Sequence, residues 1–138
     1  MSLHPKAERT LQEWHRMVDA KDLSEVEGLC APDAVFRSPA AFTPYRGSTV
    51  VAAFLQQAVQ VLGDFRYHRT FVGGEHSVVL EFSAVVGGKE LKGIDMIRFG
   101  ADGRIEEFEV MVRPESGLQA LGAEMKQRMA PLLAAAKA

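Results

Sequence analysis

Residues 90–112 read ELKGIDMIRFGADGRIEEFEVMV. Two runs rich in β-branched and aromatic residues flank the turn tripeptide Ala101-Asp102-Gly103, so the stretch predicts a β-hairpin. One residue breaks the first run. Asp95 stands among Ile94, Met96, Ile97 and Phe99. A carboxylate in an apolar strand is costly unless something solvates, pairs or uses it. Asp95 is therefore the first candidate site residue, and the rest of the chain is read for what surrounds it.

Upstream, Phe65 to Val72 and Ser77 to Val86 have the same strand-like composition. Gly73-Gly74 and Gly87-Gly88 supply the turns between strands. Hairpins predict an antiparallel sheet. Before the sheet, Leu3, Ala7, Leu11, Trp14 and Val18 recur at helical spacing, with Pro5 suited to a first turn. A helix over Pro5 to Ala20 follows, with Trp14 on its buried face. Asp22 and Glu25 resemble a capping box for a short second helix carrying Leu23, Val26 and Leu29, which Pro32 should end. Ala34 to Phe36 reads as a short strand, and Arg37 to Gly47 as a loop held by Pro39 and Pro44. Ser48 is the expected cap of a third helix reaching about Leu62, with Val51, Phe54, Leu55, Ala58 and Val59 on its apolar face. Beyond the hairpin, Pro114 stops the last strand. Ser116 and Gln119 suggest a capping box for a C-terminal helix that Pro131 should kink or end.

Helices segregated from an antiparallel sheet define an α+β class. A long sheet with few helices to cover it must curl around them, which leaves a cavity on its concave side. The whole chain, 1–138, reads as one domain, long enough for a real core. It is 47% hydrophobic and 25% charged, with a net charge of -2. That balance gives no electrostatic footprint for nucleic acid or an anionic membrane. A lone cysteine, Cys30, excludes an internal disulfide and fits a reducing compartment. With no signal-like start and no long apolar run, a cytoplasmic location is expected. No metal-ligand spacing or phosphate loop is visible, so neither metal nor cofactor is expected.

Three phrases resemble the NTF2-like superfamily, particularly its SnoaL-like and ketosteroid-isomerase-like members. They are EWHRMVDAKDLSEVEGLCAPDAVFRSP, then PYRG before the third helix, then GIDMIRFGADGRIEEFEVMV. The resemblance covers roughly Leu11 to Val112. It implies a cystatin-like cone, in which the curled sheet wraps three N-terminal helices and a C-terminal helix is added. It also implies a homodimer through the outer sheet face. In ketosteroid isomerase a carboxylate base stands before the loop proline, and a helix-1 tyrosine and a protonated strand aspartate stabilise the developing oxyanion. Carried over by position, the strand acid falls on Asp95, the tyrosine on Trp14 and the base on Ser38. A serine is no proton shuttle near neutral pH, so isomerisation by that route lacks its base.

Each candidate also has a plainer reading. Asp95 is a pocket acid, neutral and donating or ionised and basic. Alternatively it is a structural acid bonded to the Trp14 indole, or an acid solvated at a cavity floor. Alternation puts His68 with Arg66 and Thr70, opposite Phe65, Tyr67, Arg69 and Phe71, and hence outside. Facing the cavity instead, His68 would be the best substitute base. Glu81 is expected to point outward, as are Glu107 and Glu109. The preferred function is binding of a hydrophobic small molecule in an apolar cavity lined by Trp14, Val35, Phe54, Leu55, Phe82, Phe108 and Val110, with Ser38 and His68 as further candidates and Asp95 as the polar anchor. Its enzymatic form is acid–base chemistry of the isomerase, cyclase, dehydratase or epoxide-hydrolase type. The alternative is a non-catalytic dimeric module with a vestigial cavity.

Overall fold

A computed structural model describes residues 2–137. Helix α1 spans Pro5–Ala20, a 3₁₀ turn Val26–Leu29, strand β1 Cys30–Arg37, β2 Tyr45–Arg46, helix α2 Ser48–Val61, β3 Gly63–Val72, β4 Ser77–Val86, β5 Lys89–Phe99, β6 Ile105–Arg113 and helix α3 Glu115–Lys137. The first helix has the bounds its periodicity predicts. Pro5 begins it, the His4 imidazole caps it by accepting the Lys6 N–H at 3.1 Å, and Lys21 ends it in a left-handed conformation.

The structure departs from expectation at several element ends. The second helix is only a 3₁₀ turn, and Asp22 holds the preceding bend by accepting the Ser24 N–H at 3.0 Å. The chain is already extended at Cys30, so Pro32 lies inside β1. There the register against β6 shifts between Cys30 and Val35, an irregularity that tolerates a missing N–H. Gly47, not Ser48, caps α2; the Ser48 hydroxyl instead reaches the Glu27 carboxylate. Helix α3 continues past Pro131.

The six strands form one curled, unclosed sheet in the order β2-β1-β6-β5-β4-β3. All pairs are antiparallel except β1 with β6, which is parallel. The parallel pair joins the N-terminal half to the hairpin of residues 90–112. Two close approaches fix the covering layers. Gly93 lies opposite Phe82, and a Cβ there would meet that ring at 2.6 Å, so glycine lets the phenyl lie across β5. A Cβ on Gly117 would lie 2.7 Å from the Leu91 Cβ, so glycine lets the start of α3 dock on the sheet. The larger core packs α1 and α2 against the sheet through Trp14, Phe36, Phe54, Leu80, Ile97 and Phe108. A smaller core under α3 joins Phe82, Leu91 and Leu121.

On the outer face, Glu81 does point away from the core, yet its side chain is only 8% exposed. Arg69 clamps it with two bonds of 2.9 and 2.7 Å and Lys92 approaches to 2.9 Å. These cations cover the carboxylate and hold its pKa down to about 2. Arg69 reaches this face because β3 bulges between Tyr67 and Thr70. Simple alternation, which grouped Arg69 with Tyr67, fails at that point.

Candidate active site

The interior of the sheet is set by register. Asp95 lies opposite Leu80 on one side and Val110 on the other, and Phe108 lies opposite Ile97. All of these face α1 and α2, so Asp95 enters the core with the apolar side chains around it. It is 6% exposed. Burial raises its pKa from 3.8 to about 7, against a hydrogen bond from Tyr67 that lowers it.

Tyr67 is the partner that sequence reasoning missed. Its hydroxyl donates to Asp95 Oδ2 at 2.5 Å and accepts the Trp14 Nε1–H at 3.0 Å. Trp14 and Asp95 are thus joined through a phenol, where the sequence suggested a direct indole–carboxyl bond. Burial, then the Asp95 charge, pushes the Tyr67 hydroxyl well above its ordinary range. Tyr67 is consequently a neutral hydroxyl at physiological pH. Its ring is held by edge contacts with Phe65 at 4.8 Å and His15 at 5.3 Å. Alternation had placed Tyr67 on the inward face; its reach across β4 to β5 was the missing element.

This chain of three forms one wall of a cavity of about 750 Å³. Small-molecule pockets typically span about 300–1,000 Å³. Of the residues singled out from sequence, Trp14, Phe54, Leu55, Phe82, Phe108, Val110 and Asp95 line it. Ser38 lines it too, although its hydroxyl accepts the Ala40 N–H at 3.1 Å and so braces the loop. Two candidates are corrected. Val35 alternates with the inward Phe36 and is packed on the outer side of β1, opposite Arg46 and Glu107. His68 is exposed on the outer face, where its Nε2 meets Ser83 Oγ at 2.7 Å.

Helix α3 completes the cavity through Leu118, Leu121, Met125, Met129 and Leu133. Helical spacing predicts an apolar face of Leu118, Leu121, Met125, Met129 and Leu132; the structure brings Leu133 to the cavity in place of Leu132, which is exposed. Asp95 is the only carboxylate among the lining residues. Among the described residues, no group of three or more His, Cys, Asp or Glu is placed to hold a metal ion. No described helix is long and apolar enough to cross a membrane.

A curled sheet wrapped on helices around an apolar cavity, with a buried acid on the penultimate strand, defines a cone of the NTF2-like class. The chain belongs to the SnoaL-like domain family, whose model matches residues 11–108. It is similar to a steroid delta-isomerase from Pseudomonas aeruginosa, with 57% identity over 96% of this chain and 97% of that one and a TM-score of 0.91. An uncharacterised protein with a cystatin-like fold from Silicibacter pomeroyi is 33% identical over 92% of this chain and 86% of its own, with a TM-score of 0.83. An NTF2-like protein of unknown function from Mesorhizobium loti shares the fold alone, at 18% identity over 83% of this chain and all of its own (100%), with a TM-score of 0.70. No curated protein matches the chain in sequence.

Proposed function

We propose that this protein binds a hydrophobic carbonyl or hydroxyl compound and performs acid–base chemistry at its oxygen, using the Tyr67–Asp95 pair. The observation that carries this reading is the buried Trp14–Tyr67–Asp95 hydrogen-bond chain on the wall of an apolar cavity. When Asp95 is protonated, its O–H donates to the Tyr67 oxygen, and the Tyr67 O–H is free to donate to a ligand oxygen. When Asp95 is ionised, that proton is committed to the carboxylate. Donor strength toward a ketone is therefore greatest below the Asp95 pKa of about 7.

The similarity to a steroid delta-isomerase supports a ketone of steroid-like size. One carboxyl cannot hold an oxygen and receive a carbon-bound proton in the same step. By the family resemblance Ser38 falls where a ketosteroid isomerase carries its base, which supports general-acid work at oxygen: dehydration, cyclisation or epoxide opening. The test is binding of a neutral steroid ketone, followed by calorimetry at pH 6 and pH 8.5. Tyr67→Phe is expected to weaken binding about tenfold, equivalent to about 1.4 kcal/mol, and wild-type affinity should fall at the higher pH. Unchanged affinity in Tyr67→Phe would remove the pair from the site.

The reading includes a cytosolic protein with Cys30 as a buried thiol, acting as a homodimer. The outer sheet face supports the dimer. Phe71, Met96 and Met111 are exposed there, between the Arg69–Glu81–Lys92 and Arg37–Glu107–Arg98 ion pairs. Light scattering is expected to give twice the chain mass, and Met96→Glu with Met111→Glu should shift it to the single-chain value.

A further inference from the structure

Lys126 is placed where a lysine is unexpected. Its helical neighbours at three and four residues are Gly122, Ala123, Met129 and Ala130. All four line the cavity, and so does Lys126 itself. It therefore stands at the exposed edge of the cavity-lining stripe of α3, with Ala123 and Ala130 exposed beside it and Met129 buried. None of those positions carries an acid that could pair with it along the helix. Among the described residues, no carboxylate lies within ion-pair distance of it. The nearby charges on α3 are already engaged, Arg128 with Glu124 at 3.7 Å. Of the other polar lining residues, Gln119 is bonded to Glu115 and Ser38 to the Ala40 backbone, and Tyr45 adds a phenol, which cannot hold an anion by charge.

The cavity is thus polarised. Its buried wall holds the Asp95 carboxyl, which repels an anion and suits a neutral oxygen. Its rim holds Lys126, exposed and the only cation among the lining residues. Between them the walls are apolar. We propose that the ligand is an amphipathic acid: an apolar body with a neutral oxygen at the Tyr67–Asp95 end and a carboxylate at the other, held by Lys126. This deepens the function proposed above and rests on it. The lysine stem would cover the apolar body while its ammonium stays hydrated at the mouth, the usual behaviour of a rim lysine.

The experiment compares a steroid ketone carrying a carboxylate on the ring remote from the ketone with its methyl ester. Both are titrated by calorimetry into the full-length protein and into Lys126→Gln. The acid is expected to bind wild type about threefold to tenfold more tightly than the ester, as for a solvent-exposed ion pair. The preference should vanish in Lys126→Gln and shrink in 0.5 M salt, with acid affinity falling more than ester affinity in the variant. Equal affinity of acid and ester for wild type, or a preference that survives in Lys126→Gln, would overturn the proposal. Ester binding that depends on Tyr67 without any acid preference sinks this inference alone. If neither compound binds wild type, the cavity reading fails and takes this one with it. Melting by circular dichroism checks that Lys126→Gln is folded.

Discussion

At the scale of the residue, Asp95, the acid of the proposed chemistry, carries a folding cost. Its folded pKa of about 7 lies above the ordinary 3.8. From about pH 4 to about pH 7 the unfolded chain sheds a proton that the folded chain keeps, so stability falls as pH rises through that window and stays reduced above it. Asp95→Asn removes this dependence. Urea unfolding should show the variant gaining on wild type by roughly 2–4 kcal/mol between pH 4 and pH 8; a constant difference would mean that Asp95 is not a buried, titrating acid. Ser38 offers the complementary test. If the isomerase base is what the site lacks, Ser38→Asp should raise turnover of a β,γ-unsaturated steroid ketone by roughly 10²-fold or more. A wild type that already isomerises as fast as Ser38→Asp would contradict that account. Asp95 and Trp14 were legible in the sequence because each is a polar-tipped residue on an apolar face. Tyr67 was legible only as inward-facing. Its bond to Asp95 spans 28 residues and crosses β4, and no local pattern encodes such a distance. His68 was correctly read as outward by alternation, while the next residue, Arg69, was misplaced because bulges leave no period in the sequence.

At the scale of the element, α3 decides whether a cavity exists. It docks through Gly117, where an added methyl would press on Leu91 at 2.7 Å. Gly117→Ala is expected to cost about 1–3 kcal/mol in chemical unfolding despite alanine's better helix propensity. A stabilised variant would show that the helix rides free of the sheet. The Arg69–Glu81–Lys92 cluster ties β3 to β4 and β5 across the bulge. Glu81 is held near a pKa of about 2, below its ordinary 4.5, so its contribution is present above about pH 4.5 and is lost as pH falls toward 2. Glu81→Gln should flatten the acid limb of the melting profile in that window and leave the neutral region parallel to wild type. Most elements were legible because their period is strong: α1 and β4 have their expected bounds. The parallel pairing of β1 with β6 was not, since hairpin turns report only neighbours in the chain. The rule of the missing N–H predicts a kink or an end at Pro131, and the helix of 23 residues does not end there.

At the scale of the whole molecule, the fold is a cone whose sheet supplies the floor and whose three helices supply the walls and roof. The Trp14–Tyr67–Asp95 chain on the cavity wall is contributed by α1, β3 and β5 in turn. The architecture follows from a simple shortage: too few helices to cover a long sheet flatly. The sequence was explicit about that shortage. It was silent on the size of the space left inside, because volume depends on how α3 closes, not on which residues it carries. The most direct measurement is a crystal structure of the protein with a hydrophobic ketone bound. The ketone oxygen is expected within hydrogen-bond distance of the Tyr67 hydroxyl, about 2.5–3.0 Å, beside Asp95. A ketone bound with its oxygen at the mouth, or a cavity left without ligand at saturating concentration, would contradict the account.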